Sequence, residues 1–395
     1  MNRREYTVGD CFYQIRNGAN IKQGDAAGGY PITRIETTAN DTFNRDRMGY
    51  AGITDLSKYE GYVLEDGDLL MSHINSVQYL GRTVLYRKQG NETIIHGMNL
   101  LSLKANREII LPEFARYSFR SDPFKKQLSK ITKKSVNQAS FTVADLKKIP
   151  LAVPTLNEQR GIVQTLDKCL LVEAKRQQQL SALDDLIKAR FVEMFGDPND
   201  EILRWPEASI GDNCFVTKLA GFEYTSYIHY SDSGDVVMVK AQNVKNGSLN
   251  EKELSYISND VSDLLPRSQL APGDIVMTYV GANIGDVAII DDRHRYHLAP
   301  NVAKIRPNAD VYNSVFFMYM LMMKTDYIMR NSADTAKAAL GMERIRKLRV
   351  LVPPIELQNI FAAYVTQIDK SKSIIQKSFD ETQLLFDSLM QQYFG

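Results

Sequence analysis

The side chains best suited to metal or nucleophilic chemistry in this chain are five histidines, His73, His96, His229, His294 and His297, and three cysteines, Cys11, Cys169 and Cys214. Their spacing denies them a shared site. No His-Glu-x-x-His segment puts two imidazoles on one helical face, and no Cys-x-x-Cys pair offers two thiolates to zinc. The nearest approach to a ligand set is His294 and His297 beside Asp291-Asp292, which reads more simply as exposed polar loop. Nucleophilic catalysis lacks a recognisable serine turn. Nucleotide binding lacks both the alternating-glycine fingerprint and a Gly-x-x-x-x-Gly-Lys phosphate loop. Gly281-Ala282-Asn283-Ile284-Gly285 is only a glycine-containing turn, and no Asn-Pro-Pro-Tyr or Asp-Pro-Pro-Tyr segment is present to hold an exocyclic base amine for methyl transfer. The expectation is a chain with no catalytic residues, no metal site and no cofactor bound by itself.

The chemistry that remains is electrostatic. Between Arg116 and Lys148 the cations Arg116, Arg120, Lys125, Lys126, Lys130, Lys133, Lys134, Lys147 and Lys148 meet only Asp122 and Asp145. Such a connector suits phosphates, while polar and aromatic loop residues such as Tyr79 and Tyr227 suit base edges. Alone, the lysines would read sooner as a solvated face. A second group, Lys337, Arg344, Arg346, Lys347 and Arg349, favours a repeated function. With a net charge of +1, any affinity for nucleic acid must come from this local pattern rather than from the total.

The elements that must position these residues occur twice. Phe195-Gly196 closes one long helical segment and Phe394-Gly395 another, at an offset of 199 residues, and each is entered through a Val-Pro step, Val153-Pro154 and Val352-Pro353. A repeat of this period means two copies of a whole module. Each copy opens with an apolar-Gly-Asp step, Val8-Gly9-Asp10 and Ile210-Gly211-Asp212. Residues 30–35 and 235–240 then look like matching strands, the second followed by an Asn246-Gly247 turn signal. Gly67-Asp68 and Gly273-Asp274 each deliver the chain into an apolar strand, Gly81 matches Gly285, and Asn99 matches Asn301. Helical periodicity follows over residues 113–128 and 314–329. The halves differ most in loops, including residues 17–29 and 218–234.

From about residue 158 to 195 and from about 357 to 394 the chain is free of proline, long enough for helices of about 57 Å. A seven-residue rhythm in the second runs through Phe361, Ile368, Ile375, Thr382 and Leu389, with Val365, Lys372, Phe379, Phe386 and Tyr393 beside it. The same rhythm in the first gives Ile162, Cys169, Arg176, Leu183 and Arg190, with Leu166, Glu173, Leu180, Ile187 and Met194. An isolated helix would leave its seam wet, so the two are expected to pack as an antiparallel pair, with Leu166, Leu180, Leu183 and Ile187 facing Val365, Ile368, Ile375 and Phe379, and Leu389 on the same seam. With 395 residues, 44% of them apolar, the chain is long enough for two substantial cores. The scattered cysteines suit the cytoplasm, the first ten residues do not read as a leader, and the most apolar run, residues 315–323, reads as a buried helix.

This order of elements resembles the specificity subunit of type I restriction-modification enzymes over nearly the whole chain. The signature is a proline step followed by Glu-Gln or Leu-Gln and a long helix, here Val153-Pro154-Thr155-Leu156-Asn157-Glu158-Gln159 and Val352-Pro353-Pro354-Ile355-Glu356-Leu357-Gln358. The second copy departs from the first in placing Leu357 where Glu158 stands. The resemblance implies an α/β fold with two target-recognition domains, residues 1–148 and 200–348, alternating with helical regions 149–199 and 349–395. The long helices would form a coiled-coil-like, pseudo-two-fold rod between the domains. It implies a noncatalytic subunit that reads an asymmetric bipartite sequence in duplex DNA. Two methyltransferase subunits would supply S-adenosylmethionine chemistry on adenine, and restriction subunits would supply ATP- and Mg-dependent translocation and cleavage. The alternatives are a recognition partner for a fused methyltransferase-nuclease, whose sequence would look much the same, and a scaffold that binds protein only.

Overall fold

The computed structural model describes residues 3–395 apart from 22–23, 25–27, 51, 137, 246 and 333–338. Its contacts divide into two units, Met1–Arg176 with Ser378–Gly395, and Gln177–Lys377. Each unit therefore contains the start of one long helix and the end of the other.

At the heart of each unit lies a four-stranded antiparallel sheet with the same strand order. In the first unit the order is Phe12–Asn17, Leu100–Ala105, Leu69–Ser72, Thr83–Leu85; in the second it is Cys214–Lys218, Val302–Pro307, Ile275–Thr278, Val287–Ile289. Leu69–Ser72 and Leu100–Ala105 are buried at every position, because the sheet is covered on both faces. One face of the first sheet packs Leu69, Met71, Leu101 and Leu103 against the helices that follow it; the other packs Leu70, Val84 and Leu100 against Leu64, Tyr86 and Ile94.

The second layer is where the halves diverge. In the second unit it is another four-stranded sheet, in which Val236–Val239 runs parallel to Arg295–Leu298 and antiparallel to Tyr256–Ile257. In the first unit the segment expected to match Val236–Val239 forms only the two-residue strand Pro31–Ile32 and then turns into the 3-10 helix Ile35–Asp41. Pro31 has no N–H to give a ladder, and the Thr37 hydroxyl takes the Arg34 N–H at 2.8 Å, so extension stops there. His297 also departs from the expected loop. It lies fully buried on Arg295–Leu298, with its ring nitrogens 3.0 and 3.3 Å from the carbonyls of Leu298 and Leu265, while His294 stays exposed.

The helical stretch over residues 113–128 is two helices, Pro112–Arg120 and Asp122–Ile131, because Ser121 caps the second and Pro123 cannot continue the first. Its counterpart also splits, into Ser314–Met323 and Thr325–Arg330, at Lys324, whose buried ammonium lies 2.8 Å from Glu207.

Each half is closed by pairing its two ends. Arg4–Thr7 runs antiparallel to Pro150–Val153, and Glu207–Ser209 runs antiparallel to Arg349–Leu351. The apolar-Gly-Asp steps form one-turn helices at this closure. Asp10 accepts the Thr7 N–H at 2.7 Å and Asp212 the Ser209 N–H at 2.9 Å. A Cβ on Gly9 would lie 3.2 Å from the Lys147 carbonyl, and one on Gly211 3.3 Å from the Arg346 carbonyl, which explains the small residue in both.

The Gly-Asp turns carry a repeated ion pair. Buried Asp68 accepts the Glu65 N–H at 2.9 Å and meets Lys104 at 3.2 Å; buried Asp274 accepts the Ala271 N–H at 2.8 Å and takes a bidentate pair from Arg306 at 2.6 and 2.7 Å.

The long helices span Leu156–Phe195 and Ile355–Phe394. The first opens on a reciprocal cap, with Thr155 N–H and hydroxyl both donating to Glu158 at 3.0 and 2.9 Å. At the second start Pro354 and Leu357 replace that pair, and the Pro354 carbonyl accepts the Leu357 and Gln358 N–H groups at 3.1 and 3.3 Å. The ten positions of the seven-residue rhythm on each helix are all buried or half-buried. In the second unit Phe191 and Phe195 meet Phe361 at ring distances of 5.5 and 5.7 Å, and Asp184 meets Lys372 at 2.7 Å. Rising numbers on one helix thus pair with falling numbers on the other, so the two segments run in opposite directions within this unit. Ile187 shares that core with Val365 and Ile368; in the first unit Leu166 and Cys169 share a core with Phe386 and Leu389. Leu180, Leu183, Ile375 and Phe379 are half-buried.

Candidate nucleic-acid interface

A turn leaves each central sheet at the same place. In the first unit residues 76–82 connect Leu69–Ser72 to Thr83–Leu85, closed by Gly81 N–H to Ser72 and Ser72 N–H to Arg82 bonds of 2.8 and 2.9 Å. In the second, residues 279–286 connect Ile275–Thr278 to Val287–Ile289 through Gly285 N–H to Thr278 and Thr278 N–H to Asp286 bonds, both 2.9 Å. Gly81 and Gly285 have φ of 78° and 89°, and each lies against an apolar side chain of a following helix, Leu128 and Ile328. The frame is common, yet one turn displays Val77, Gln78 and Tyr79 and the other Ala282 and Asn283.

In the first unit this turn meets the cationic connector. Tyr79 is 40% exposed and carries the Arg82 guanidinium 4.5 Å above its ring. Asp41 draws in both Arg82 and Arg120, at 3.1 and 3.4 Å, so part of this cation charge is neutralised within the protein. Lys125, Lys126 and Lys130 lie on the helix that packs Leu128 against Gly81, all exposed. Lys133–Lys134, also exposed, forms the outer strand of a ribbon ordered Ile74–Asn75, Ala139–Ser140, Lys133–Lys134, whose first strand leads directly into the turn. Gln78, Gly81, Arg82, Arg120 and Lys125 line an open groove of about 600 Å³. Residues distant in sequence thus gather at one edge of the sheet.

The second unit does not gather its candidates in the same way. Val280 bridges Ala339 as Ile74–Asn75 pairs with Ala139–Ser140, but residues 333–338, Lys337 among them, lie outside the described residues. Arg344 donates to the Asn331 carbonyl at 3.1 Å, and Arg346 donates to the Val216 carbonyl at 2.9 Å and pairs with Glu343. Both arginines thus tie separate segments of the fold, Arg344 from an exposed position, and Lys347 is exposed as well. Tyr227, 44% exposed, ends the helix Gly221–Tyr227, which also exposes Phe222. Reading the sequence alone overlooked Arg82, and likewise Tyr279, over whose ring Lys218 stands at 5.5 Å. The repeated glycines 81 and 285, with Tyr79 in the first turn, are the sequence signals at these turns. Among the described residues no group of His, Cys, Asp and Glu is arranged to hold a metal ion.

One frame is thus built twice in this chain, with unlike turns on it. The profile of the type I restriction modification DNA specificity domain matches residues 4–182 and again 205–381, and the chain belongs to that family, as a noncatalytic specificity subunit. A relative from Methanocaldococcus jannaschii, provisionally described as the type I restriction enzyme MjaX specificity subunit, is 26% identical over 385 residues, covering 95% of this chain and 88% of its own. The type I restriction enzyme EcoKI specificity subunit of Escherichia coli K12 is 23% identical over 156 residues, 39% of this chain and 33% of that one. In fold, the chain resembles the S subunit of a type I restriction-modification system from M. genitalium, with a TM-score of 0.57, 14% identity and coverage of 100% and 96%. A chain solved in a study of complex assembly and conformational transition of the type I R-M system gives the same TM-score at 18% identity, with coverage of 99% and 97%.

Proposed function

We propose that this subunit reads an asymmetric, bipartite sequence in duplex DNA, one half through residues 1–148 and the other through residues 200–348, and directs adenine methyltransferase and restriction subunits to it. The observation that carries this reading is the pairing of a shared frame with unlike turns. Strand order, capping boxes, Gly-Asp ion pairs and glycine contacts recur, while the exposed residues at 77–79 and 282–283 do not. Equivalent frames would address equivalent grooves, and unlike side chains would select unlike bases. Lys125, Lys126, Lys133 and Lys134 would hold phosphates, and Tyr79 would reach base edges beside them. The long helices would act as an antiparallel, pseudo-two-fold spacer that fixes the gap between half-sites.

Two methyltransferase copies suit the repeat on the outer helix faces. Leu186 and Leu385 stand 199 residues apart, 46% and 53% exposed, so a partner present twice would cover the same position twice. The decisive experiment exchanges residues 200–348 for another recognition module and maps methylation in cells that also make the methyltransferase. One half of the target should change while the other half and the gap persist. Change in both halves, or methylation of one continuous site, overturns the reading.

A further inference from the structure

Gln159 and Gln358 are both fully buried, 199 residues apart, in the first turn of each long helix. Burying an amide is unfavourable unless its donors and acceptor are met. Here they are met, and by the same three backbone groups in each half. Gln159 accepts the Leu111 N–H at 2.8 Å and donates to the carbonyls of Ile109 and Pro154 at 2.8 and 2.9 Å. Gln358 accepts the Asn313 N–H at 2.9 Å and donates to the carbonyls of Val311 and Pro353 at 2.9 and 2.8 Å. Two of the three partners lie in the loop where the central sheet's second strand hands over to the following helix, and the third lies at the entry to the long helix itself. The same loops are tied to the one-turn helices that lead into each sheet's edge strand by Asn106 N–H to Cys11 and Asn308 N–H to Asn213 bonds, both 2.8 Å.

We propose that Gln159 and Gln358 are paired positioning residues, each locking the angle at which a recognition sheet stands on its long helix, so that together they set which gap between half-sites the subunit accepts. The proposal rests on the bipartite reading above. An apolar contact resists separation but permits rotation, whereas three backbone hydrogen bonds from one planar amide fix direction as well as distance. The helix caps do not supply this lock, since the Thr155–Glu158 pair has no counterpart at Pro354 and Leu357, while the glutamine arrangement is kept in both halves.

The test uses the subunit in complex with its methyltransferase. Methylation mapping of the wild type first defines the two half-sites and their gap. Binding is then measured to duplexes carrying that gap, or one base pair more or less. Gln159→Met and Gln358→Met should each reduce the preference for the native gap by about tenfold, the scale of one coupled interaction, while base preferences within each half-site stay unchanged. Affinity lost equally at all three gaps, or a preference that does not move, overturns the positioning role and leaves the bipartite reading intact. A wild-type complex that methylates one continuous site overturns both. If the variants fail to fold, amide exchange in the wild-type complex decides. Leu111 and Asn313 N–H groups should exchange as slowly as the long-helix amides, and exchange at the rate of exposed loops overturns the proposal.

Discussion

Lys125, Lys126, Lys133 and Lys134 are exposed lysines on two different elements, the helix that packs Leu128 against Gly81 and the outer strand of the short ribbon. Replacing each by alanine should weaken specific and unrelated DNA alike and lower the salt slope by up to about one per lost contact, read by titration across salt concentrations. Asp41 works against them by holding Arg82 and Arg120. Asp41→Asn, tolerated at its φ of 57°, should therefore tighten nonspecific binding and steepen its salt dependence. A separate charge effect concerns stability. Hydrogen bonds from Arg45 hold the Glu92 carboxyl down at about 2, helped by the Gln89 N–H and the Tyr86 hydroxyl and opposed by burial. A depressed carboxyl stabilises the folded state above its unfolded value, and that contribution drains as pH falls through the folded one. The stability gap between wild type and Glu92→Gln should accordingly be largest near neutrality and shrink as pH drops from about 4.5 toward 2, measured by denaturant titration.

Along the long helices the same apolar rhythm covers unequal environments. Ile187 is fully buried among Phe191, Phe195 and Phe361, whereas Ile375 is half-buried near the middle of its helix. Ile187→Asp should cost about 3 kcal/mol or more, because its carboxylate would be stranded in a dry aromatic core, and Ile375→Asp only about 1 kcal/mol. Thermal or denaturant unfolding of both variants checks the ranking, and equal losses would contradict it. Helix length was legible from the absence of proline and the two Phe-Gly endings, with starts only two residues from those expected. The splits at Ser121 and Lys324 were less visible, since one depends on a serine cap and the other on a buried ammonium meeting Glu207 from a distant strand.

At the scale of the molecule, pairing of the first and last strands in each half brings a module's entry and exit together. That arrangement should let a domain be exchanged without rebuilding its neighbours, as the proposed exchange of residues 200–348 requires. Purified complex should contain two methyltransferases for each copy of this subunit, and native mass measurement showing a single one would contradict the use of repeated helix faces.

The duplication and the long helices follow from periodic spacing and ordered motifs, which are one-dimensional properties; the α/β halves and the specificity family were legible as a resemblance carried by those motifs. What chain order could not show is where distant segments meet. The partnership of Tyr79 with Arg82, the neutralising reach of Asp41, the use of Arg344 and Arg346 as internal ties, and the burial of His297 each depend on contacts between remote positions. The glutamines show the division most clearly. Their place after the proline step was visible as a motif, but their partners were not, because only the fold sets three backbone groups around each amide. Periodicity specifies which faces must be buried; tertiary packing decides which polar groups share that burial and must satisfy one another.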